Sequence, residues 1–186
     1  MRVPTRISIR FAVLLGTVTE MVAPALATTL EQLTLEEMAR KSTAIVRARV
    51  TGSHAAARGG DIYTYFGLQV LETWKGQTIT EVAIPGGVAN GIRQTVTGAP
   101  ELKPGQEYVL FLWTSRSGLT QVMGLSQGIF KLSEEGSGGG GVKVAQRAPT
   151  SELMLDRAGL PVDDRAVRVH LQDLRAQVRL ALGAAR

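Results

Sequence analysis

The sequence contains no cysteine and only two histidines, His54 and His170. Without cysteine the chain can form no disulfide, can carry no lipid on an N-terminal cysteine and can use no thiol nucleophile. A serine nucleophile would need a histidine base, but His54 stands in a predicted turn, His170 lies on a predicted helix, and no Gly-x-Ser-x-Gly segment occurs. We therefore expect no catalytic residue, and the chain is predicted not to be an enzyme.

Motifs for metals and phosphates are also missing. The two histidines do not share a helical turn, and the adjacent acidic residues at 134–135 and 163–164 would point apart on a strand or helix. The glycine runs at 86–87 and 138–141 do not continue into the Gly-Lys-Ser/Thr of a phosphate-binding loop. We predict that the protein holds no metal and no cofactor, and that the glycine tract is a hairpin tip.

Aromatic residues are scarce, at 5% of the chain, and positive charge is not concentrated in any run. The formal net charge is +5, of which the first 27 residues account for two. Because no basic cluster is interleaved with aromatic residues, nucleic acid is not the expected partner. Most aromatic side chains are needed for the core, which leaves Tyr63, Tyr65 and Trp74 as predicted contacts with a partner.

The first 27 residues have the order of a cleavable export signal. Three arginines precede the apolar run 11–18, and Ala25-Leu26-Ala27 supplies the small residues of a cleavage site. Glu20 and Pro24 interrupt the apolar stretch, which falls short of the roughly 20 residues that a membrane-spanning helix needs. We predict cleavage after Ala27, a secreted or periplasmic mature protein, and no integral membrane segment once the signal is removed.

Residues 28–160 are predicted to form one β-rich domain that starts with a short helix. Thr34 and Glu37 have the spacing of a capping box, so this helix should end near Ser42. A turn is expected at 55–60. The continuous apolar run at 107–113 predicts a strand buried on both faces. Alternating or apolar segments between Gly and Pro turns predict the other strands at 44–52, 62–73, 81–84, 93–97, 121–123, 128–132 and 142–146.

Residues 161–186 are predicted to form an amphipathic helix packed on the same domain, with Asp163 as N-cap and Gly183 at the end. Its apolar stripe consists of Val167, Leu171, Leu174, Val178 and Leu182. This series of short strands with a helix at each end predicts a closed or partly closed antiparallel β-barrel, with a two-sheet β-sandwich as the alternative.

Four segments, taken in chain order, resemble the domain shared by netrin modules and tissue inhibitors of metalloproteinases. They are Ser-Thr-Ala-Ile-Val-Arg-Ala-Arg-Val at 42–50, Ile-Tyr-Thr-Tyr at 62–65, Val-Leu-Glu-Thr-Trp-Lys-Gly at 70–76 and Pro-Gly-Gln-Glu-Tyr-Val-Leu at 104–110. The resemblance covers about residues 30–132. It implies a five-stranded barrel like that of oligonucleotide-binding (OB) proteins, used extracellularly to bind proteins.

The resemblance also bears on the N-terminus. Inhibitory members of that family ligate the protease zinc through a disulfide-tethered N-terminal cysteine. This chain has no cysteine, so no inhibitory residue carries over, and Thr28 and Thr29 remain as the predicted contacts at the new N-terminus. The loss of the tether should leave a poorly ordered terminus, which weakens binding.

These observations favour an exported, non-enzymatic module that binds another exported protein, with a protease as one candidate. One alternative is an anionic polymer, either nucleic acid or polysaccharide, bound near Arg47, Arg49 and Arg93. Another is an enzyme that uses carboxylates carried on strands, namely Glu72, Glu81 and Glu107.

Overall fold

The computed structural model describes residues 29–136, 141–150 and 152–183, so the predicted export signal, Thr28 and most of the glycine tract lie outside the described residues. The described chain is mainly β with two helices, which confirms this part of the predicted fold class. The elements in chain order are β1 (Thr29–Glu31), α1 (Leu35–Lys41), β2 (Ala44–Arg58), β3 (Asp61–Lys75), β4 (Glu81–Pro85), β5 (Gly87–Ala89), β6 (Ile92–Gln94), β7 (Glu107–Thr114), β8 (Thr120–Val122), β9 (Ile129–Glu135), β10 (Val142–Arg147), β11 (Leu153–Leu155), β12 (Pro161–Val162), β13 (Val167–His170) and α2 (Leu171–Gly183).

Five strands pair in a closed ring in the order β2, β3, β4, β8, β7. Neighbours in the ring are antiparallel except β4 and β8, which run parallel. The ring is strongly staggered. Leu112 of β7 lies directly opposite Ala44 of β2. The cross-strand pairs that start from the next residue of β7 and run the other way around the ring, through Gln121 and Ala83, reach β2 at His54. A stagger of this kind means that the strands are steeply tilted to the axis of the ring.

Strand β7 belongs to the ring and to a sheet that extends from it. Residues 108–110 of β7 pair with β9, and residues 112–114 pair with β8. Strands β9, β10 and β13 continue the sheet away from the ring. A small separate sheet joins β1, β11 and β12, and β5 pairs with β6 in a sheet of two strands.

One hydrophobic core lies inside the ring, and a second lies on its outer side. Residues of β2 alternate between them because successive side chains of a strand point to opposite faces, with Val46 inside and Ile45 outside. Strand β7 contributes to both, with Leu110 inside and Phe111 outside, so its predicted burial on both faces is confirmed up to Leu112. The helices cover the second core through Met38, Ala39, Leu174, Val178 and Ala181.

Helix α1 begins as predicted. Thr34 is its N-cap, its hydroxyl accepts from the Glu37 N–H, and the Glu37 carboxylate accepts from the Thr34 N–H at 2.9 Å. Ser42 is the C-cap, which confirms both ends of the predicted helix. No helix in the described ranges is long and apolar enough to cross a membrane.

The predicted turn at 55–60 is wrong for most of its length. Strand β2 continues to Arg58, and only Gly59 and Gly60, both with positive φ, form the turn to β3. A two-residue turn with positive φ matches the twist of paired strands, so the pairing extends through the alanines that precede it. Asn90 and Gly91 make a similar turn in the small β5–β6 hairpin, and the strand predicted at 93–97 is confirmed only for residues 93 and 94, which belong to β6.

The C-terminal helix is shorter than predicted. Helix α2 starts at Leu171, and Asp163 is not its N-cap, because residues 167–170 form β13 on the edge of β10. Both carboxylate oxygens of Asp164 accept from Arg147, at 2.8 and 2.7 Å, which ties the segment before β13 to the end of β10. From Leu171 onward the predicted apolar stripe is confirmed, since Leu174 and Val178 are buried.

Candidate functional site

A row of outward side chains crosses the ring from β2 to β7. Tyr65 lies opposite both His54 and Ala83, Ala83 lies opposite Gln121, and Gln121 lies opposite Trp113. Four residues of this row each have an adjacent residue on the same strand that belongs to the core inside the ring. These four are Tyr65, Ala83, Gln121 and Trp113. Because strand side chains alternate, the row therefore faces outward.

Aromatic rings gather at the β2–β3 end of this row. The His54 and Tyr65 rings are stacked, with centroids 5.3 Å apart and planes at 15°, and Tyr63 is tilted against Tyr65 at 6.3 Å. Two predicted contact residues, Tyr63 and Tyr65, are thus neighbours, and His54, expected to be in a turn, joins them. We call His54, Tyr63, Tyr65 and Trp113 the aromatic face.

A groove of about 220 Å³ lies beside Trp113, between β4 and the strands β7 and β8. Trp113 forms one wall and is 44% exposed, which corrects its expected place in the core. It differs from Leu112 because the alternation of β7 turns it outward where β7 pairs with β8. The groove is lined by Ala83, Ile84, Pro85, Trp113, Gln121, Val122, Met123, Gly124 and Leu125.

Trp74 is not part of the aromatic face. It lies nine positions after Tyr65 on β3, which in an extended strand is about 30 Å away. Its ring packs against the second core, and its indole N–H donates to Glu72 Oε2 at 3.1 Å. The predicted grouping of Trp74 with Tyr63 and Tyr65 therefore does not occur.

The amino-terminal strand is held by a buried amide that sequence analysis did not identify. Thr29 is exposed in β1, opposite Leu153 of β11. Gln127 accepts from the Leu33 N–H at 2.8 Å and donates to the Glu31 carbonyl at 2.9 Å. From residue 29 onward the start of the domain is therefore held by strand pairing and by Gln127 without a disulfide, and the predicted contact Thr28 lies outside the described residues.

A network of ion pairs covers the outer side of the sheet beside the second core. Glu107 of β7 accepts from Arg47 at 3.0 Å, from Arg49 at 2.7 Å and from Lys143 at 3.1 Å. Arg47 also donates to Glu72 at 2.7 Å. A β-bulge between Arg47 and the next residue of β2 shifts the register with β3, which places Glu72 opposite Arg47.

Both carboxyl groups of this network are held ionised. Burial opposes ionisation of Glu107, but hydrogen bonds from Arg47, Arg49 and Lys143 outweigh it and lower its pKa to about 2. Burial likewise opposes ionisation of Glu72, and hydrogen bonds from Trp74 and Arg47 lower its pKa overall. Both pKa shifts therefore favour the ionised form of these groups at neutral pH.

No family model matches this chain, and no curated protein matches it.

Within residues 29–136, 141–150 and 152–183, no three His, Asp or Glu side chains form a group that could hold a metal ion.

Four of the remaining candidate residues meet in the ion-pair network, and the other two lie elsewhere; the four are Arg47, Arg49, Glu72 and Glu107. Arg47 and Arg49 are engaged by glutamates, whereas Arg93 is exposed on the β5–β6 hairpin. Glu81 is exposed at the start of β4, away from the Glu107 network. The structure thus brings together Tyr63 and Tyr65 among the predicted contacts and adds His54 to them, whereas Trp113 lies at the other end of the same row.

Proposed function

We propose that the protein is an exported, non-enzymatic module that binds another exported protein through its aromatic face. The observation that carries this proposal is the outward position of Tyr63, Tyr65 and Trp113 on strands of one hydrogen-bonded ring. Tyrosine and tryptophan are enriched in protein interfaces and dominate their binding energy. A ring of paired strands holds such side chains in place before a partner arrives, which lowers the entropy lost on binding.

The ring order and its stagger support an OB-like barrel as the finer description of the fold. That barrel is a five-stranded, partly open Greek key, and its ligands lie on a strand face bordered by loops. Tyr65 and Ala83 occupy neighbouring strands of the ring, and the Gly59-Gly60 turn and the 115–118 turn lie beyond them. The aromatic face thus occupies the position at which such a barrel would bind a ligand.

A protease is the candidate partner that the family resemblance suggests. In support, β1 is paired with β11 and clamped by Gln127, so that Thr29 leaves the domain at a defined place. A terminus that is already ordered loses less entropy on binding than a free one. Export of the chain, with cleavage after Ala27, remains part of the proposal.

The test is capture of a partner from the exported proteins of the native cell by the purified chain that lacks residues 1–27. The captured protein is identified, purified and titrated against wild type and Tyr65→Ser, whose hydroxyl is kept and whose ring is lost. We expect Tyr65→Ser to weaken binding at least tenfold, because central aromatic residues dominate interfaces. Trp74→Phe and Leu180→Ser are the controls, since Trp74 lies outside the aromatic face and Leu180 is 73% exposed on α2.

Two results would count against this proposal. One is a partner whose affinity falls with Leu180→Ser and not with Tyr65→Ser, which would move the interface to α2. The other is the failure of any single protein to bind reciprocally when purified. A panel of metallo-, serine and cysteine proteases, assayed with and without the chain, tests the protease candidate separately.

A further inference from the structure

Glu152 differs from the other buried glutamates in the residues that contact its carboxylate. Three glutamates are buried in the described part of the chain, namely Glu37, Glu107 and Glu152. Glu37 accepts from Arg157, and Glu107 accepts from three basic side chains. Among the residues that the structure describes, no donor binds the carboxylate of Glu152, although the residue is only 9% exposed. A buried carboxylate without a cation is costly, so we expect a cation to reach it.

The surroundings of Glu152 hold its side chain closely, and the nearest basic residues in the sequence are engaged elsewhere. A Cβ at Gly98 would lie 2.6 Å from the Cγ of Glu152 and 3.0 Å from its Oε1, so the backbone at Gly98 lies against the side chain. Arg147, five positions before Glu152, binds both oxygens of Asp164. Arg157, five positions after it, binds Glu37. Neither arginine is therefore the expected cation.

The register of the small sheet directs the start of the domain toward Glu152. Strands β1 and β11 are parallel, with Thr29 opposite Leu153 and Leu30 opposite Met154. Glu152 directly precedes β11, so the same register continued by one residue puts residue 28 opposite it. Neighbouring strands are about 4.8 Å apart, a distance that a glutamate side chain can span.

We propose that the α-ammonium group of Thr28, released by cleavage after Ala27, binds the carboxylate of Glu152 and completes the small sheet. The inference rests on the export and cleavage in the proposed function, and it adds a role for the new terminus within the domain. Before cleavage the nitrogen of Thr28 belongs to a neutral peptide bond, and the last basic residue before β1 is Arg10. Cleavage therefore creates a positive charge at the level of Glu152, where the longer chain carries none.

Other cations match this position less well. A metal ion would need further ligands, and no group of three acidic or histidine side chains occurs in the described part of the chain. A basic side chain of a partner would have to pass the backbone at Gly98, which lies against Glu152. The amino terminus approaches along the strand that pairs with β11 instead. A protease partner would then meet the side chains of Thr28 and Thr29, not a free amine.

The first experiment measures the proton affinity of the amine in the chain without residues 1–27. The carbon chemical shifts of Thr28 are followed against pH, because they respond to protonation of the amine. We expect this proton affinity to be about tenfold higher in the wild type than in Glu152→Gln, since a nearby carboxylate favours the ammonium form. Glu31→Gln is the matched control, because Glu31 is exposed at the other end of β1, and it should change the affinity less than about twofold.

The second experiment removes the charge of the amine and leaves every side chain unchanged. The wild type and Glu152→Gln are compared by urea unfolding, each with a free and with an acetylated terminus. Acetylation and Glu152→Gln should each lower the folding equilibrium constant about fivefold, because either change breaks the same ion pair. Both changes together should lower it little further, and losses that simply multiply would overturn the inference.

N-terminal sequencing of the exported chain separates this inference from the proposed binding function. A first residue other than Thr28 would overturn the inference and the cleavage site, and would leave partner binding through Tyr65 standing. Equal proton affinity in the wild type and Glu152→Gln would remove the ion pair alone. The expected difference in proton affinity, found without any captured partner, would support the ion pair and count against the binding function.

Discussion

Leu33 donates its backbone N–H to the side-chain carbonyl of Gln127 at 2.8 Å, although 94 positions separate the two residues. The nitrogen of the same amide donates to the carbonyl of Glu31, so one side chain binds the backbone as a neighbouring strand would. Gln127 is 2% exposed, and the shielding from water strengthens both bonds. A neutral amide thus fixes the start of the domain in a chain that has no cysteine to do so.

Replacing Gln127 with Met should loosen the amino-terminal strand. The change keeps the length of the side chain and leaves the Leu33 N–H and the Glu31 carbonyl without this partner, which costs about 1–3 kcal/mol. Urea unfolding should show this loss, and the Leu33 amide should exchange its hydrogen faster. Gln172→Met, at an exposed position of α2, should change the free energy of unfolding by less than about 0.5 kcal/mol. Unchanged exchange at Leu33 would show that β11 alone holds the strand.

Glu107→Gln should strongly destabilise the protein at neutral pH. The Glu107 side chain is 11% exposed and binds three cations, so its neutralisation leaves Arg47 buried with fewer partners. We expect a loss of about 3 kcal/mol in the free energy of unfolding. Glu134→Gln is the matched control, because Glu134 binds the same Lys143 but is 65% exposed. Glu134→Gln should lower the free energy of unfolding by less than about 1 kcal/mol. Equal losses for both variants would contradict the conclusion that Glu107 is the central acceptor of the ion-pair network.

The same carboxyl group predicts a pH dependence. The pKa of Glu107 is lowered from 4.5 to about 2, so its ionised form is favoured by folding. Its contribution is fully present above pH 4.5 and is lost as the pH falls from 4.5 to 2. The Glu37 carboxyl, whose pKa the Arg157 guanidinium also lowers to about 2, acts in the same window. Urea unfolding between pH 7 and pH 2 should therefore show a smaller loss of stability in Glu107→Gln than in the wild type.

Local signals in the sequence were enough to predict the capping-box helix and the strand buried on both faces. The Thr34–Glu37 spacing acts through contacts within one turn, and the run at 107–113 is apolar whichever strands lie beside it. The secondary structure of other segments depends on which strands pair with them. The alanines at 55–57 have weak strand propensity and are extended because β3 lies opposite them. Residues 167–170 alternate like a strand and also fit a helical stripe, and the free edge of β10 decides between the two.

The candidate site was predictable only in part, for the same reason. Tyr63 and Tyr65 could be identified because their alternation with Phe66 places them on the outer side of one strand. Trp113 could not, since its neighbourhood depends on the parallel contact between Ala83 and Gln121. The clamp by Gln127 joins segments almost a hundred positions apart, and nothing in its local sequence distinguishes it from other glutamines.

The backbone geometry at Gly76, which follows Trp74 and Lys75 at the end of β3, requires glycine. Its φ is +69°, and a Cβ there would lie 2.0 Å from the carbonyl oxygen of Thr43. Gly105 has a φ of +80°, and a Cβ there would have no atom within 4 Å. Gly105→Ala should cost about 1 kcal/mol for its backbone conformation alone, and Gly76→Ala about 2 kcal/mol more. Thermal and urea unfolding of both variants measure the difference, and similar losses would show that the backbone near Thr43 yields.

Lys75, the last residue of β3 and the one before Gly76, caps the C-terminal end of helix α1. Its ammonium donates to the carbonyls of Ala39 and Arg40, both at 2.8 Å, which have no partner within the last turn of the helix. Lys75→Met keeps the apolar stem and removes the charge, so α1 should lose about 1–2 kcal/mol of support. Lys41→Met, on the exposed end of α1, should lose less than about 0.5 kcal/mol.

Hydrogen exchange separates this end-capping role of Lys75 from a general loss of stability. The amide of Ser42, which donates to the Met38 carbonyl at 3.0 Å, closes the last turn of α1. In Lys75→Met this amide should exchange faster by a larger factor than amides of the ring strands, because the missing bonds lie at the helix end. Uniformly faster exchange across α1 and the ring would mean that Lys75 supports the whole domain and not the helix end in particular.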